Sequence, residues 1–238
     1  SKSGAYIYDP IVGRGTTIAI DNSNFLEKQI QEVDNGSTVL QKVDYRNMIP
    51  STKSDEATYL FKPQNEFKYP YYIHKTNSIL YLVNKIHTLF DDKVLTKEYR
   101  YENGIQHLDG KGFLGFQKIY NSDAYESELK NGKYINKNPV KAVFWNIQTR
   151  DPLMDNALVR STYGGITKFF TDNTIINKKF DKGNHQYLIL STEETSKDYL
   201  KKITISKKYD YDPADDLKLK TAYTDYDGVG TSISKYTY

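Results

Sequence analysis

Residues 99–116 read YRYENGIQHLDGKGFLGF, in which two tyrosines one residue apart precede a glycine-rich run. Tyr99 and Tyr101 have the i, i+2 spacing that places side chains on one face of a β-strand. Upstream, residues 79–90 (ILYLVNKIHTLF) form the most apolar window, and its β-branched residues favour a strand. An Asp91-Asp92 turn and the alternating residues 94–102 follow, so we predict a β-hairpin that ends in the tyrosine pair.

The glycine-rich run satisfies the string G-x-G-x-x-G at Gly110, Gly112 and Gly115. A dinucleotide site also needs a helix that begins within this string, so that its N-terminus faces the pyrophosphate. Phe113 and Phe116 instead lead into residues that alternate as in a strand. We therefore predict a strand over 113–120, with glycines that permit a bulge or a close backbone crossing. Both phenylalanine rings should then be buried against the two tyrosines or the strand at 80–86.

The rest of the chain consists of short alternating segments separated by turns. Residues 26–33 and 38–45 flank Asn35-Gly36, which predicts a hairpin with a type I′ turn. Residues 51–65 are polar and are expected at the surface. Further strands are predicted at 69–73, at 140–147, at 168–180, at 186–192 and in the tyrosine-rich sequence after residue 200. Residues 151–160 fit one helical turn or a loop, and residues 193–200 are the best helix candidate. The fold class is mainly β, built from antiparallel hairpins with little helix.

Composition limits the possible functions. Of 238 residues, 38% are hydrophobic and 22 are Tyr, which is too aromatic for a disordered chain. The net charge of +3 is scattered, so we predict no nucleic-acid partner. The absence of cysteine excludes disulfides, iron–sulfur clusters and thiol nucleophiles. No apolar run approaches the roughly 18 residues of a membrane span. Because the sequence starts at Ser1 and lacks the apolar core of a signal peptide, we expect a mature or excised piece of a longer protein.

Candidate catalytic and metal-binding residues have no motif around them. The four histidines lack zinc-site spacing and are expected to be ordinary surface or partly buried side chains: His74, His87, His107 and His185. Calcium could be held by four aspartates in one turn, although the EF-hand spacing is missing: Asp210, Asp212, Asp215 and Asp216. Asp151 and Asp155 are the candidates for a hydrolase. No catalytic residue, cofactor site or metal site is predicted.

Two patterns resemble a known family. Residues 99–116, with Tyr-x-Tyr followed by Gly-x-Gly-Phe-x-Gly-Phe, resemble a segment of Rhs-type and insecticidal toxin-complex B-type proteins, including the SpvB-like group. The Asn35-Gly36 hairpin, Tyr69-Pro70 and the apolar strand match the upstream context of that segment. The tail, with Tyr209-Asp210-Tyr211-Asp212 and 236–238, is similar to a degenerate YD repeat. The likeness covers about residues 22–120 and 199–238.

The resemblance implies an organisation for the chain. Residues 1–21 would end a preceding module or linker, and 22–130 would be the middle β segment between a β-propeller and the YD repeats. Residues 131–198 would be a loosely matched β segment with a short helix, and 199–238 would begin the YD-like strands. The implied structural motif comprises seven residues: Tyr99, Tyr101, Gly110, Gly112, Phe113, Gly115 and Phe116. The implied fold is an extended, curved sheet, part of a Rhs-type β-shell.

The function implied is structural. The chain would be a non-catalytic segment of a large secreted or cell-surface protein, forming part of a shell that encloses or presents a C-terminal effector. Its partners would be the propeller, the YD-repeat shell and the effector of its own polypeptide, together with secretion-system or surface components. Two alternatives stay open. One is an adhesin or carbohydrate-binding module, in which exposed tyrosines and Trp145 stack on sugars. The other is a hydrolase that uses dispersed carboxylates.

Overall fold

The computed structural model describes residues 2–9, 14–21, 29–36, 39–48, 50, 60–63, 66–74, 80–183, 186–214, 216–227 and 229–237, with the backbone alone before Ile30. These residues form β-strands and one 3₁₀ turn, and no α-helix. The strands are β1 (Lys2–Asp9), β2 (Arg14–Asp21), β3 (Gln29–Asp34), β4 (Val39–Asn47), β5 (Phe61–Lys62), β6 (Tyr71–Ile73), β7 (Tyr81–Phe90), β8 (Lys93–His107), β9 (Gly112–Ser122), β10 (Tyr125–Lys130), β11 (Lys133–Asn136), β12 (Trp145–Asp151), β13 (Ala157–Gly164), β14 (Phe169–Gly183), β15 (Gln186–Asp198), β16 (Ile203–Asp212), β17 (Lys218–Tyr226) and β18 (Gly230–Lys235). The predicted mainly β, antiparallel fold is confirmed.

The chain divides into two compact units. The first comprises Ser1–Glu66, Ile73–Asn103 and Tyr120–Val143. In it β1 to β4 pair in sequence order, and β4 then pairs with β7. β7 pairs with β8, β8 pairs with β10, and β10 pairs with β11. All of these pairings are antiparallel. The short strand β5 runs parallel to β8, with Phe61 opposite Tyr101.

The predicted hairpins of the first unit are present. β7 and β8 pair from Lys85 opposite Glu98 to Phe90 opposite Lys93, around the Asp91-Asp92 turn. β3 and β4 form the hairpin at Asn35-Gly36, although residues 26–28 and 38 lie outside the described residues. The predicted type I′ turn is wrong. Gly36 has a φ of 71°, whereas Asn35 is not among the described residues with positive φ. Its side chain instead accepts a hydrogen bond from the Val39 N–H at 3.2 Å and closes a longer loop.

The second unit comprises Phe67–Tyr72, Gly104–Ile119 and Phe144–Tyr238. From β12 to β18 each strand pairs antiparallel with its successor, so the unit contains a long sequential meander. Between residues 169 and 237, Thr221 is the one buried residue among those described. Both faces of β14 to β18 therefore retain solvent exposure, as in a single layer of sheet.

Buried apolar side chains occur in both units. Among the residues whose side chains are described, those of the first unit are Met48, Phe61, Ile73, Leu82, Tyr101 and Tyr120. In the second unit they are Ile105, Phe116, Trp145 and Ile147. Phe61 is fully buried, so the expectation that all of 51–65 lies at the surface is wrong at this residue. Residues 51–59, 64 and 65 lie outside the described part.

Two further predictions need correction. The strand expected from Val140 begins only at Trp145, because residues 138–141 form a turn that contains Pro139 and Val140 is 98% exposed. The helix expected at 193–200 is absent, since β15 continues to Asp198. Glu193 and Glu194 lie opposite Lys208 and Lys207 of β16. Opposite charges across neighbouring strands stabilise the sheet, which outweighs the modest helix propensity of the segment. Between 151 and 160 the structure has a 3₁₀ turn, Pro152–Met154.

Candidate functional site: aromatic–glycine segment and polar network

The tyrosine pair of the predicted motif lies on β8. Tyr101 is buried, and its hydroxyl donates a hydrogen bond to the carbonyl oxygen of Val83 at 3.0 Å. Burial raises the pKa of Tyr101, so the phenol keeps its proton and remains a donor. Opposite it, Phe61 of β5 packs into the same core. The side chain therefore ties β5, β7 and β8 together, which is a structural role.

Tyr99 contributes to a shallow groove in the first unit. The groove has a volume of about 340 Å³ and is lined by Gln41, Ile86, Thr88, Leu95, Lys97, Tyr99 and Ala124. Lys97 is the one ionisable side chain in this lining apart from the phenol itself. General acid–base catalysis needs a positioned pair of proton donor and acceptor. The described residues of the lining offer no such pair.

A carboxylate–imidazole–hydroxyl relay crosses three strands of the same unit. Asp44 Oδ2 lies 3.1 Å from His87 Nε2, and His87 Nδ1 lies 2.8 Å from Thr96 Oγ1. Tyr134 covers the imidazole, with ring centroids 4.3 Å apart. The hydrogen bond from His87 lowers the pKa of Asp44.

This relay has the residue types of a hydrolytic triad but the wrong exposure. His87 is 0% and Thr96 1% exposed, whereas the Asp44 side chain is 56% exposed. A nucleophile must reach its substrate, and here the hydroxyl is the innermost member. The relay therefore serves to satisfy a buried imidazole. The expectation of surface or partly buried histidines is wrong for His87. The contact between His87 and Asp44 could not be predicted from the sequence, because the two residues lie 43 positions apart. The one available signal is the position of His87 within an alternating strand.

Charged side chains continue this polar face beside the relay. Glu98 accepts hydrogen bonds from Lys85 Nζ at 2.9 Å and from the Tyr125 hydroxyl at 2.5 Å. Burial opposes ionisation of Glu98, but these two donors outweigh it and lower the pKa of its carboxyl group. Further along β8, buried Glu102 accepts a hydrogen bond from the Tyr120 hydroxyl at 2.7 Å. The network fixes the register of neighbouring strands.

The glycine-rich run lies in the second unit and opens β9. Gly110 has a φ of 92° and Gly112 a φ of 70°, a backbone conformation that favours glycine. β9 begins at Gly112, so the run leads into a strand, as predicted. A helix N-terminus that could face a pyrophosphate is therefore missing from this segment.

Gly115 lies against a side chain, and not against the crossing backbone that the sequence pattern suggests. Its φ is 100°, and a Cβ placed on it would lie 3.0 Å from Asn156 Nδ2. That amide nitrogen donates a hydrogen bond to the Leu114 carbonyl oxygen at 2.7 Å. Asn156 is itself held in a left-handed conformation, φ 61°, directly after the 3₁₀ turn. We call this contact the Gly115–Asn156 clasp. By contrast, a Cβ at Gly110 or Gly112 would meet nothing within 4 Å.

A second contact joins the same two segments. Lys111 Nζ donates to Asp155 and, at 2.6 Å, to the Tyr187 hydroxyl, which also bonds to Asp155. Burial works against ionisation of Asp155, but the hydrogen bonds from Lys111 and Tyr187 lower its pKa. Asp151 instead accepts a hydrogen bond from the Leu153 N–H at 2.9 Å and caps the 3₁₀ turn. The two hydrolase candidates thus have separate structural partners.

The phenylalanines of the motif differ in environment. Phe116 is 8% exposed, as expected, but Phe113 is 43% exposed, so the prediction that both rings are buried is wrong for Phe113. Their rings still meet edge to face, with centroids 5.4 Å apart. Residues three apart face opposite sides of a regular strand. The positive φ of Gly115 between them breaks this alternation and brings both rings to one side.

The other candidate residues do not form sites. Trp145 is 5% exposed, which removes it as a stacking platform for sugars. Asp212 accepts a hydrogen bond from the Ala214 N–H, Asp216 pairs with Lys182, and Asp215 lies outside the described residues. Within the described ranges, no cluster of three metal-ligating side chains occurs. His107 packs against the edge of Tyr71, and His185 also lies outside the described part. No helix of the described part has the length and apolarity needed to cross a membrane.

Comparisons with known proteins find a likeness in structure only. No protein-family model and no curated protein matches the chain. A crystal structure of TcdB2–TccC3–Cdc42 matches with a TM-score of 0.52 and 10% sequence identity, over 94% of this chain. TcdB2–TccC3 without its hypervariable C-terminal region matches with a TM-score of 0.53 and 10% identity, over 93%. The chain spans 14% of each of those chains. The fold of this chain is thus like that of part of a TcdB2–TccC3 chain, which supports a toxin-complex-like or Rhs-like fold.

Proposed function

We propose that this chain is a non-catalytic structural segment of a larger Rhs or toxin-complex-like protein, secreted or displayed at the cell surface. In this role it builds part of a β-shell that encloses or presents a C-terminal effector. The observation that carries the proposal is the fold likeness over 94% of this chain to 14% of a TcdB2–TccC3 chain.

The thinness of the second unit supports the proposal. With Thr221 as the one buried residue among those described from 169 to 237, β14 to β18 cannot be stabilised by a core of their own. Meander strands of this kind are stabilised by pairing with their neighbours and by cross-strand contacts. A wall formed by further strands of one polypeptide would supply such neighbours. The proposed partners are accordingly the propeller, the YD-repeat strands and the effector of the same polypeptide, with secretion-system or surface components beyond them.

The contacts of the polar groups also support a structural role. The Asp44–His87–Thr96 relay is closed to substrate, and Asp151 and Asp155 have structural partners. Among its described lining residues, the groove beside Tyr99 has no acid–base pair. Each polar constellation that we describe holds strands or turns in place.

The experiment is limited proteolysis of the full-length polypeptide that contains this chain. If the segment is part of a closed shell, a C-terminal effector resists proteases that cleave it rapidly once it is released. Gly115→Val, which disturbs the clasp, should increase effector cleavage more than Gly183→Val, because Gly183 also has a positive φ, 77°, but a Cβ there meets nothing within 4 Å. Equal protease sensitivity of the enclosed and released effector would exclude the shell.

A further inference from the structure

The shallow groove beside Tyr99 lies on one face of the sheet formed by β4, β7 and β8. Two rows of side chains cross these strands here, with register partners directly opposite each other. They are Gln41, Thr88 and Leu95 in one row and Ile86 and Lys97 in the next. Tyr99 follows Lys97 by two residues on β8, so its side chain points to the same face. These six side chains and Ala124 line the groove, which has a volume of about 340 Å³.

The position of the groove restricts how it can recognise a ligand. β7 lies between β4 and β8 and pairs with both, so its backbone N–H and C=O groups are used within the sheet. An extended peptide that adds to a sheet needs the backbone groups of an edge strand. A ligand in this groove is therefore recognised by side chains. The buried His87–Thr96 contact lies on the opposite face, because neighbouring residues of a strand point to opposite sides.

Three polar side chains of the lining supply hydrogen-bonding groups. Gln41 and Lys97 are exposed, and within the described ranges neither side chain has a hydrogen-bond or ion-pair partner. The Gln41 amide and the Thr88 hydroxyl can each donate and accept, and the Lys97 ammonium donates. Sugar hydroxyls are likewise both donors and acceptors, so this set of groups fits a sugar.

Apolar side chains accompany these polar groups. Leu95 is 40% exposed and lies beside Thr88, and Ile86 lies beside Lys97. The Tyr99 ring adds an aromatic surface. Small-molecule sites combine a mostly apolar lining with a few polar groups, in volumes of about 300–1,000 Å³. The apolar C–H face of a pyranose ring can pack on this surface while its hydroxyl groups reach the polar side chains.

The charge of the groove selects an acidic ligand. Lys97 is the one side chain of the described lining that is charged at neutral pH. Glu126 lies opposite Leu95 and shares this face, but it pairs with Lys137 at 2.9 Å. A single ammonium matches one carboxylate, whereas a ligand with several phosphates needs several cations.

We propose that this groove binds a pyranose that carries a carboxylate, that is, a uronic acid residue. Lys97 binds the carboxylate, Gln41 and Thr88 bind ring hydroxyls, and the Tyr99 ring packs on the apolar face of the sugar. This inference goes beyond the proposed structural function and does not rest on it.

Saturation-transfer NMR of the polypeptide that contains this chain tests the proposal. The probes are methyl glucuronide and methyl glucoside, which differ at one carbon, a carboxylate in the first and a hydroxymethyl group in the second. At low ionic strength the glucuronide should bind about fivefold more tightly, as expected for one exposed ion pair. Added salt should reduce this difference. Absence of glucuronide binding, or equal affinity for the two sugars, would refute the proposal.

Three variants locate the binding site. Lys97→Met removes the charge of an exposed side chain, so the melting temperature should match that of the parent while the affinity for glucuronide falls to that for glucoside. Gln41→Ala should weaken binding of both sugars by about threefold, the effect of one lost hydrogen bond. The matched control is Lys133→Met, since Lys133 is exposed on β11 of the same unit and lies outside the described lining. Retention of the preference for glucuronide in Lys97→Met, or its loss in Lys133→Met, would overturn the assignment.

Discussion

The Gly115–Asn156 clasp makes a prediction that separates backbone strain from a specific contact. Gly115→Ala places a Cβ on a residue with a φ of 100° and 3.0 Å from Asn156 Nδ2. Such a backbone conformation costs a non-glycine residue about 1–3 kcal/mol. The displaced amide also loses its 2.7 Å bond to Leu114, a net contribution of about 0.5–1.5 kcal/mol. We expect the free energy of unfolding to fall by about 2–4 kcal/mol.

Gly112→Ala is the matched control on the same strand. Gly112 has a φ of 70° and open space where a Cβ would lie, so only backbone strain applies, about 1–2 kcal/mol. The Asn156→Ala variant completes a double-mutant cycle. With the amide removed, Gly115→Ala should cost about 0.5–1.5 kcal/mol less than in the parent, whereas the cost of Gly112→Ala should not change.

Urea unfolding followed by tryptophan fluorescence measures these values. Trp145 is the only tryptophan in the chain, is 5% exposed and lies in the same unit as the clasp. A change in midpoint with an unchanged denaturant slope would report a change in stability. The clasp would be refuted if Gly115→Ala cost no more than Gly112→Ala, or if the cycle showed no coupling between Gly115 and Asn156.

Two further predictions concern burial and charge. Phe116→Ala should lower the free energy of unfolding by about 3–5 kcal/mol. Phe113→Ala should lower it by about 1 kcal/mol, because Phe113 is 43% exposed. Equal melting temperatures for the two variants would contradict the observed burial. The hydrogen bond from His87 lowers the pKa of Asp44 from 3.8. The ionised Asp44 therefore stabilises the fold at a pH above 3.8. This stabilisation is lost as the pH falls through the lowered pKa of Asp44. His87→Ala should raise the Asp44 pKa towards 3.8, measured by carboxyl NMR titration; an unchanged pKa would show that His87 is not the cause.

Local sequence patterns predict the strands of this protein because each strand is specified by its own alternation. The hairpin around Asp91-Asp92, the strand after Gly112 and the tyrosine-rich strands after residue 200 all follow from spacing within a few residues. The positive φ of Gly115 is also predictable, since a glycine inside a strand often marks a bulge or a tight bend, whereas its contact with Asn156 is not.

Features that depend on pairing between distant residues could not be predicted. His87 meets Asp44 43 residues away, and Asn156 reaches Leu114 42 residues away. The same limit explains the helix predicted at 193–200. Its glutamates gain partners only from the lysines of β16, and no property of the segment alone shows this.

The tyrosine content explains how so thin a sheet is stabilised. A side chain in a single layer has one end against its neighbours and the other near water, which suits an apolar ring with a polar tip. The structure uses the hydroxyl in this way on both units: Tyr101 bonds to the Val83 carbonyl, Tyr125 to Glu98, Tyr209 to Glu194 and Tyr211 to the Ser191 carbonyl. In each case the phenol of one strand bonds to another strand. These four tyrosines therefore supply, by cross-strand contacts, part of the stabilisation that a thicker domain obtains from a core.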